Sequence, residues 1–312
     1  MISGRARNAL ERRIRRPALA RWRAAAEAVG TARQAAAGSE APVLVSHLPL
    51  MATATETLRR IRCPKVPHIA FAFNFTDLPR GLRRRFLERS LRGIDEFVVF
   101  SRFEQDLYVR ELGLPPERIR FLPWAMDPPA PGPHSPLPEA FTAGGYLCAI
   151  GGEGRDYALL ARVMVTRPDL RMAVVARPYS IDGIDFPSNM MVFTNLPSDQ
   201  TWRIAEDSGG LVIPLRSATT ACGHITMVGA QLLGLPLVVT ESRGVADYVE
   251  DGVTAQVIPA RDATALGTAL DRLSAGDAEV GTMAAAARTR ARQQNDLANW
   301  VGYFSDLADR LG

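Results

Sequence analysis

From residue 42 onward, short runs of β-branched and aromatic residues alternate with segments of helical periodicity, and that alternation leaves few folds open. It is the pattern of parallel sheets wrapped by helices. Strands are expected at 43–47, 68–73, 96–100 and 118–122, with helices at 50–62, 81–94 and 102–112. Between residues 128 and 138 six of eleven residues are proline, which can neither continue a helix nor pair as a central strand. The alternation then resumes, with strands at 146–150, 171–176, 190–194, 210–214, 236–240 and 255–258. Helices are expected at 156–166, 199–207, 224–233, 244–250 and 263–274. Two more helices follow over 280–311, with Trp300, Tyr303, Phe304 and Leu307 on one apolar face.

The expected architecture is therefore α/β, with two Rossmann-like, doubly wound domains facing a cleft and preceded by a basic helical arm. The divisions fall at 1–38 (arm), 39–127 (first domain), 128–144 (linker), 145–278 (second domain) and 279–312 (helices returning toward the first domain). Ligands of open parallel sheets collect at the carboxyl ends of the strands, so functional residues are sought there.

With 312 residues, 47% of them apolar, two domains are the natural division, and no solenoid period occurs. No apolar run approaches the ~20 residues of a membrane span, and the N-terminus shows no apolar signal stretch. The expected location is cytoplasmic, with peripheral attachment at the inner membrane face an option. Cys63, Cys148 and Cys222 suit a reducing compartment and form no zinc pattern.

The formal net charge of +4 is uneven. Residues 1–33 hold nine arginines against Glu11 and Glu27, or +7, which leaves 4 − 7 = −3 for the rest. Leu10, Ile14, Ala18, Trp22, Ala26 and Val29 recur at helical spacing among those arginines, and Pro17 is placed to open a helix. This stretch either attaches to an anionic membrane or acidic protein partner, or packs its apolar stripe on the next domain. Nucleic acid is not an expected partner, since no aromatic platform or known binding motif is present.

In the second domain the first strand runs into Gly151-Gly152-Glu153-Gly154-Arg155-Asp156, a turn whose amides can approach a diphosphate while Arg155 supplies a planar cation. With Tyr157 in the third glycine's place it is one glycine short of the dinucleotide fingerprint. Further on, Pro214-Leu-Arg-Ser-Ala-Thr-Thr-Ala-Cys-Gly-His-Ile-Thr226 leads from a strand through small residues into a helix. Cys222, Gly223, His224, Ile225 and Thr226 would put unpaired amides and two side-chain donors at that helix's N-terminus, where an anion is favoured. In the first domain His47 closes a Val-Leu-Val-Ser-His strand. Asn74 and Asp77 follow the next strand and are acceptor-side candidates, although Asp77-Leu-Pro79 also reads as a helix-entry turn. His68 and His134 are assigned no role.

The ordered series resembles the donor half of GT-B nucleotide-sugar glycosyltransferases of the group-one, retaining kind. It runs from the Gly-rich turn through a strand ending in Pro214, the Gly223 loop and helix, Gly234-Leu-Pro236 and a Val-Val strand, to Gly244 and Asp251-Gly252. Phe100-Ser-Arg-Phe-Glu104, Gly113-Leu-Pro-Pro, Arg118-Ile-Arg-Phe-Leu-Pro123 and Asp127 are similar to the segment before that family's linker. The likeness covers about residues 42–311. It implies sugar transfer with retention from a nucleoside diphosphate sugar to an unknown glycan, lipid or protein acceptor, with no cofactor. The diphosphate would lie among Gly151, Gly152, Arg155, Arg177 and the amides of 223–226, the base near 194–196 including Leu196, and His47 near the transferred sugar. His47 and Arg155 are the catalytic candidates. No Asp-x-Asp triplet occurs, so no metal is expected.

Two departures stand out. The family commonly carries two glutamates where this chain has Ala221 and Gly229; Gly223-His224-Ile225-Thr226 is similar to a variant found in some relatives. The first domain is also short, without the opening strand and glycine-rich loop that normally approach the acceptor. Two other readings stay open: a catalytically silent, glycosyltransferase-like binding subunit, and an NADP-linked oxidoreductase using Arg177 for the 2′-phosphate.

Overall fold

The computed structural model describes residues 17–38, 40–75 and 78–311. The chain divides into two compact units, Met1–Leu122 with Gly302–Gly312, and Pro123–Val301.

The first unit opens with α1 (Pro17–Ala37), and Pro17 sits at the start as its missing amide N–H allows. The buried stripe of α1 is Ala20, Ala24, Ala25, Val29 and Ala32, so this part of the basic segment is packed within the unit rather than projecting as a separate arm. Trp22 and Ala26, assigned to the apolar stripe from spacing, are only half-buried. Leu10 and Ile14 lie outside the described residues.

Four strands follow: β1 (Leu44–His47), β2 (His68–Phe71), β3 (Glu96–Val99) and β4 (Ile119–Phe121). They pair in parallel, in the order β1-β2-β3-β4. Between them run α2 (Pro49–Arg62), α3 (Gly81–Leu91) and α4 (Arg102–Leu112). Ser101 caps α4 by accepting from the Glu104 amide, and Gly113 ends it in the left-handed conformation, which is why expected and observed bounds coincide there. Ala70, Phe97, Val99 and Ile119 pack against Ala52, Leu91 and Tyr108, which puts α2, α3 and α4 on one face. On the other, Phe71 meets Tyr303 and Phe304 of the last helix, at centroid distances of 6.1 and 5.3 Å. Doubly wound topology is therefore absent from this sheet. Its order never reverses, and right-handed crossovers advancing in one direction keep their helices on one side.

The second unit carries the full doubly wound pattern. Its strands are β5 (Leu147–Ile150), β6 (Met172–Ala176), β7 (Met190–Thr194), β8 (Leu211–Ile213), β9 (Leu237–Thr240) and β10 (Gln256–Ile258). They are parallel, in the order β10-β9-β8-β5-β6-β7. The central strands are buried along their whole length, as strands covered on both faces must be. Cys148, Val175, Ile213 and Val239 face α8 (Ser198–Glu206) and α9 (His224–Leu233). Their neighbours Ala149, Val174, Val212 and Val238 face α6 (Tyr157–Val165) and α10 (Ala263–Ala275). The short helices α5 (Glu139–Thr142) and α7 (Pro178–Ile181) and the long α11 (Ala278–Gln294) complete the unit; α12 (Leu297–Leu311) begins in it and ends in the first.

Two expectations change. The proline-rich stretch is packed into the second unit: Leu137 enters its core, and the Gly132 carbonyl accepts from Arg203 Nε at 2.5 Å. The helix expected at 244–250 is a series of turns. There the Val245 and Tyr248 amides close tight turns on Ser242 O and Val245 O, while Gly244 O and Tyr248 O accept from the His224 and Gln231 side chains of α9 instead of from a following helical turn.

Candidate functional site

In the second sheet β5 is flanked by β6 and β8, and the order of winding reverses there, with β6 and β7 to one side of β5 and β8, β9 and β10 to the other. A crevice opens outside such a switch point, at the carboxyl ends. The turn after β5 and the loop after β8 meet there. Asp156 N bonds to Pro214 O at 2.6 Å and Arg216 N to Gly154 O at 2.9 Å. Cys222 Sγ bonds to Glu153 O at 3.1 Å.

Arg155 lies at the centre, 3% exposed. Its Nε and Nη2 donate to Ile150 O at 3.3 Å, and its Nη1 donates to Glu153 O at 3.0 Å and Cys222 Sγ at 3.8 Å. Among the described residues no carboxylate pairs with it. A buried cation without a counterion ordinarily costs several kcal/mol, so a fold that retains one offers that charge to something else. Arg155 sits beneath the two loops. Gly151 (φ +127°) and Gly223 (φ +110°) cover it, and a Cβ on Gly151 would fall 2.6 Å from Nη2.

Gly223 also starts α9. No side chain caps this helix, and its first intrahelical bond runs from Met227 N to Gly223 O. The amides of His224, Ile225 and Thr226 thus precede the ladder, at the positive end of the helix dipole. The two side-chain donors expected here do not face outward. His224 is buried, with Nε2 2.8 Å from Gly244 O and its ring stacked near Tyr248. Burial, with the Arg155 charge nearby, lowers its pKa to about 4, so it is neutral at physiological pH. Thr226 is buried too, whereas Ile225 is exposed.

Arg177 leaves the end of β6 exposed. Its stem covers Gly152, where a Cβ would fall 2.4 Å from Arg177 Cγ, and its Nη1 donates to Asn195 Oδ1 at 3.1 Å. Leu196 follows directly, packed against the core. Gly151, Gly152, Arg155, Arg177, Leu196 and Cys222–Thr226 are thus gathered at the carboxyl edge of one sheet. Tyr157 is buried, its hydroxyl on Gly151 O at 2.5 Å, which fills the place of a third fingerprint glycine. Sequence reading passed over Arg216, an exposed cation at the end of β8 whose Nε donates to Arg155 O at 3.0 Å. The strand-end rule applied to Pro214-Leu-Arg216 would have found it.

The two positions without glutamate are closed by packing. A Cβ on Gly229 would lie 2.2 Å from the Trp202 ring, and Ala221 is 4% exposed against Gly244.

In the first unit His47 is exposed at the end of β1, and partial desolvation lowers its pKa. Asn74 is tied down, its Nδ2 donating to Glu104 Oε1 at 2.6 Å. Asp77 lies outside the described residues. Glu104 is fully buried and its pKa is raised to about 7 by desolvation, against hydrogen bonds from Ser101, Asn74 and Tyr108. Below pH 4.5 both folded and unfolded chains carry it protonated; between 4.5 and 7 only the unfolded chain ionises, so this group's contribution to stability is lost as pH rises. Glu104→Gln should therefore gain about 3 kcal/mol relative to the parent between pH 4.5 and 7.5. Urea unfolding at the two pH values measures it; parallel profiles would refute the assignment.

A Ser–His–Glu chain also occurs: Ser46 Oγ to His68 Nε2 and His68 Nδ1 to Glu56 Oε2, both 2.8 Å. Burial raises the Glu56 pKa, but bonds from His68 and Arg59 outweigh it and hold it low. Ser46, His68 and Glu56 are all buried, so no substrate reaches the hydroxyl and the chain is structural.

Among the described residues no His, Cys, Asp and Glu cluster is placed to hold a metal, and no helix is long and apolar enough to cross a membrane.

Two parallel α/β domains with a glycine-lined, cationic crevice at the second sheet's switch point define a class: this is the fold of the GT-B glycosyltransferases. Sucrose-phosphate synthase of Thermosynechococcus elongatus superposes with a TM-score of 0.71 at 15% identity, over 93% of this chain and 78% of that one. Anabaena HepE, solved in complex with UDP-glucose, gives 0.74 at 12% identity over 92% and 82%. In sequence, the amylovoran biosynthesis glycosyltransferase AmsK of Erwinia amylovora is 30% identical over 122 residues, 37% of this chain and 29% of AmsK. The match thus spans under a third of that relative's length. No family model matches the chain.

Proposed function

We propose that the protein transfers a sugar from a nucleoside diphosphate sugar, holding the diphosphate at the β5/β8 crevice. The observation that carries this reading is Arg155, a buried cation with no carboxylate partner among the described residues, beneath an uncapped helix N-terminus. A leaving diphosphate gains negative charge as the glycosidic bond breaks, and preorganised donors stabilise that charge without reorganisation. Arg177 and Arg216 add exposed cations at the rim, and the backbone near Asn195 and Leu196 takes the base. Transfer with retention and charge neutralisation by arginine and amide groups complete the reading. HepE was solved with UDP-glucose, so UDP and UDP-glucose are the first ligands to try.

A thermal-shift series with UDP, GDP, ADP, their glucose conjugates and NADPH tests it. One nucleoside diphosphate should stabilise the protein by about 2.7 kcal/mol at a hundredfold excess over its dissociation constant. Stabilisation by NADPH alone would overturn the proposal. The closed Gly229 and Ala221 positions favour one alternative, a silent binding subunit; it predicts the same shift with neither donor hydrolysis nor transfer across a broad sugar panel.

A further inference from the structure

A second concave site lies wholly within the first unit, at the carboxyl edge of its sheet. Leu50 follows His47 by three residues, and Phe75 follows the end of β2 by four. With Leu82 and Phe86 of α3 and Arg21 and Trp22 of α1 they line a pocket of about 570 Å³. That volume is typical of small-molecule sites. Leu50, Leu82 and Phe86 are 53, 81 and 53% exposed, which leaves a contiguous apolar surface in water.

Among the described residues, the single charged side chain in the lining is Arg21. It is half-buried, desolvation lowers its pKa, and no carboxylate pairs with it among the described residues. The flanking segment 80–92 adds six arginines against Glu88. An apolar pocket with an unpaired guanidinium in its wall is complementary to an anion attached to a hydrocarbon chain. A flat membrane surface would need these groups on one exposed plane, whereas Arg21 and Trp22 are half-buried in the pocket wall.

We propose that this pocket binds one amphiphile at a time, its chain against Leu50, Phe75, Leu82 and Phe86 and its phosphate-like head on Arg21. As the acceptor of sugar transfer the amphiphile rests on the reading above; as a ligand it does not.

Calorimetry on the full chain tests the pocket, with dodecyl phosphate below its micellar limit as the probe. Dodecyl phosphate should bind at least tenfold more tightly than dodecyl maltoside, and inorganic phosphate should give no heat. Phe86→Asp and Leu82→Asp, both at exposed positions, should each weaken binding at least tenfold with UDP affinity unchanged. Arg21→Gln should erase the preference for the phosphate head. Unaltered binding in both aspartate variants, or no binding by the parent, would overturn the inference. So would binding to phosphatidylglycerol vesicles without binding to the monomeric probe, which would make this face a membrane surface. UDP titration of the same samples separates the two readings: UDP binding without amphiphile binding sinks only this one, and the converse sinks only the donor site.

Discussion

Arg155→Met should lower affinity for the preferred nucleoside diphosphate at least about 100-fold while leaving a folded protein. A hydrogen bond to a charged group contributes about 1.5–3 kcal/mol, and a diphosphate above the two loops stands to lose at most the one N–H that Arg155 leaves uncommitted, along with the charge itself. The fold loses less. Ile150 O and Glu153 O give up a donor, at about 1–3 kcal/mol, but the cost of burying an uncompensated cation disappears. Arg155→Lys should fall between, since it keeps the charge and loses the planar fork. Titration calorimetry with circular dichroism on the same samples reads both quantities. UDP binding within threefold of the parent in Arg155→Met would remove the anchor of the donor-site reading.

The second large effect concerns the missing carboxylate. Gly229→Glu introduces the glutamate that the sequence resemblance would place there and should nonetheless destabilise the protein by about 3 kcal/mol or more, with no gain in turnover. A Cβ at 229 would stand 2.2 Å from Trp202 Cη2 and 2.7 Å from Cζ2, and the ring is locked in the core with Ile204 and Ala205 of α8. Nothing flexible can give way. Trp202→Ala should relieve the clash in the double variant, so their destabilisations should be strongly non-additive in denaturant titrations. A fully stable Gly229→Glu protein would show that the position is open after all.

Strand and helix order was legible because parallel strands buried on both faces must be short and apolar, and their crossover helices must be capped. Ser101 with Glu104, and Gly234 closing α9, mark ends that the structure keeps. Gly151, Gly152 and Gly223 were legible as backbone requirements for a related reason: each supports a backbone course or a close approach that a Cβ would obstruct. Side-chain direction was not legible. His224 reads as a donor at a helix N-terminus, yet its ring turns inward to Gly244 O. Asn74 reads as a strand-end polar group, yet it is spent on Glu104. The helix expected at 244–250 failed likewise, because the carbonyls of Gly244 and Tyr248 are taken by the side chains of His224 and Gln231 on α9, which no local pattern announces.

The amino-acid order by itself determined the α/β class, the two successive parallel sheets and the glycine turn with its arginine, since these follow from periodicity and backbone sterics over a few residues. Only the tertiary structure decided that Arg155 is buried without a carboxylate among the described residues, that Trp202 fills the space at Gly229, and that α1 and α3 wall a pocket. Charge pairing, clashes and cavities depend on which distant segments meet, and that is set when the sheet order brings β8 beside β5 and α1 against α2.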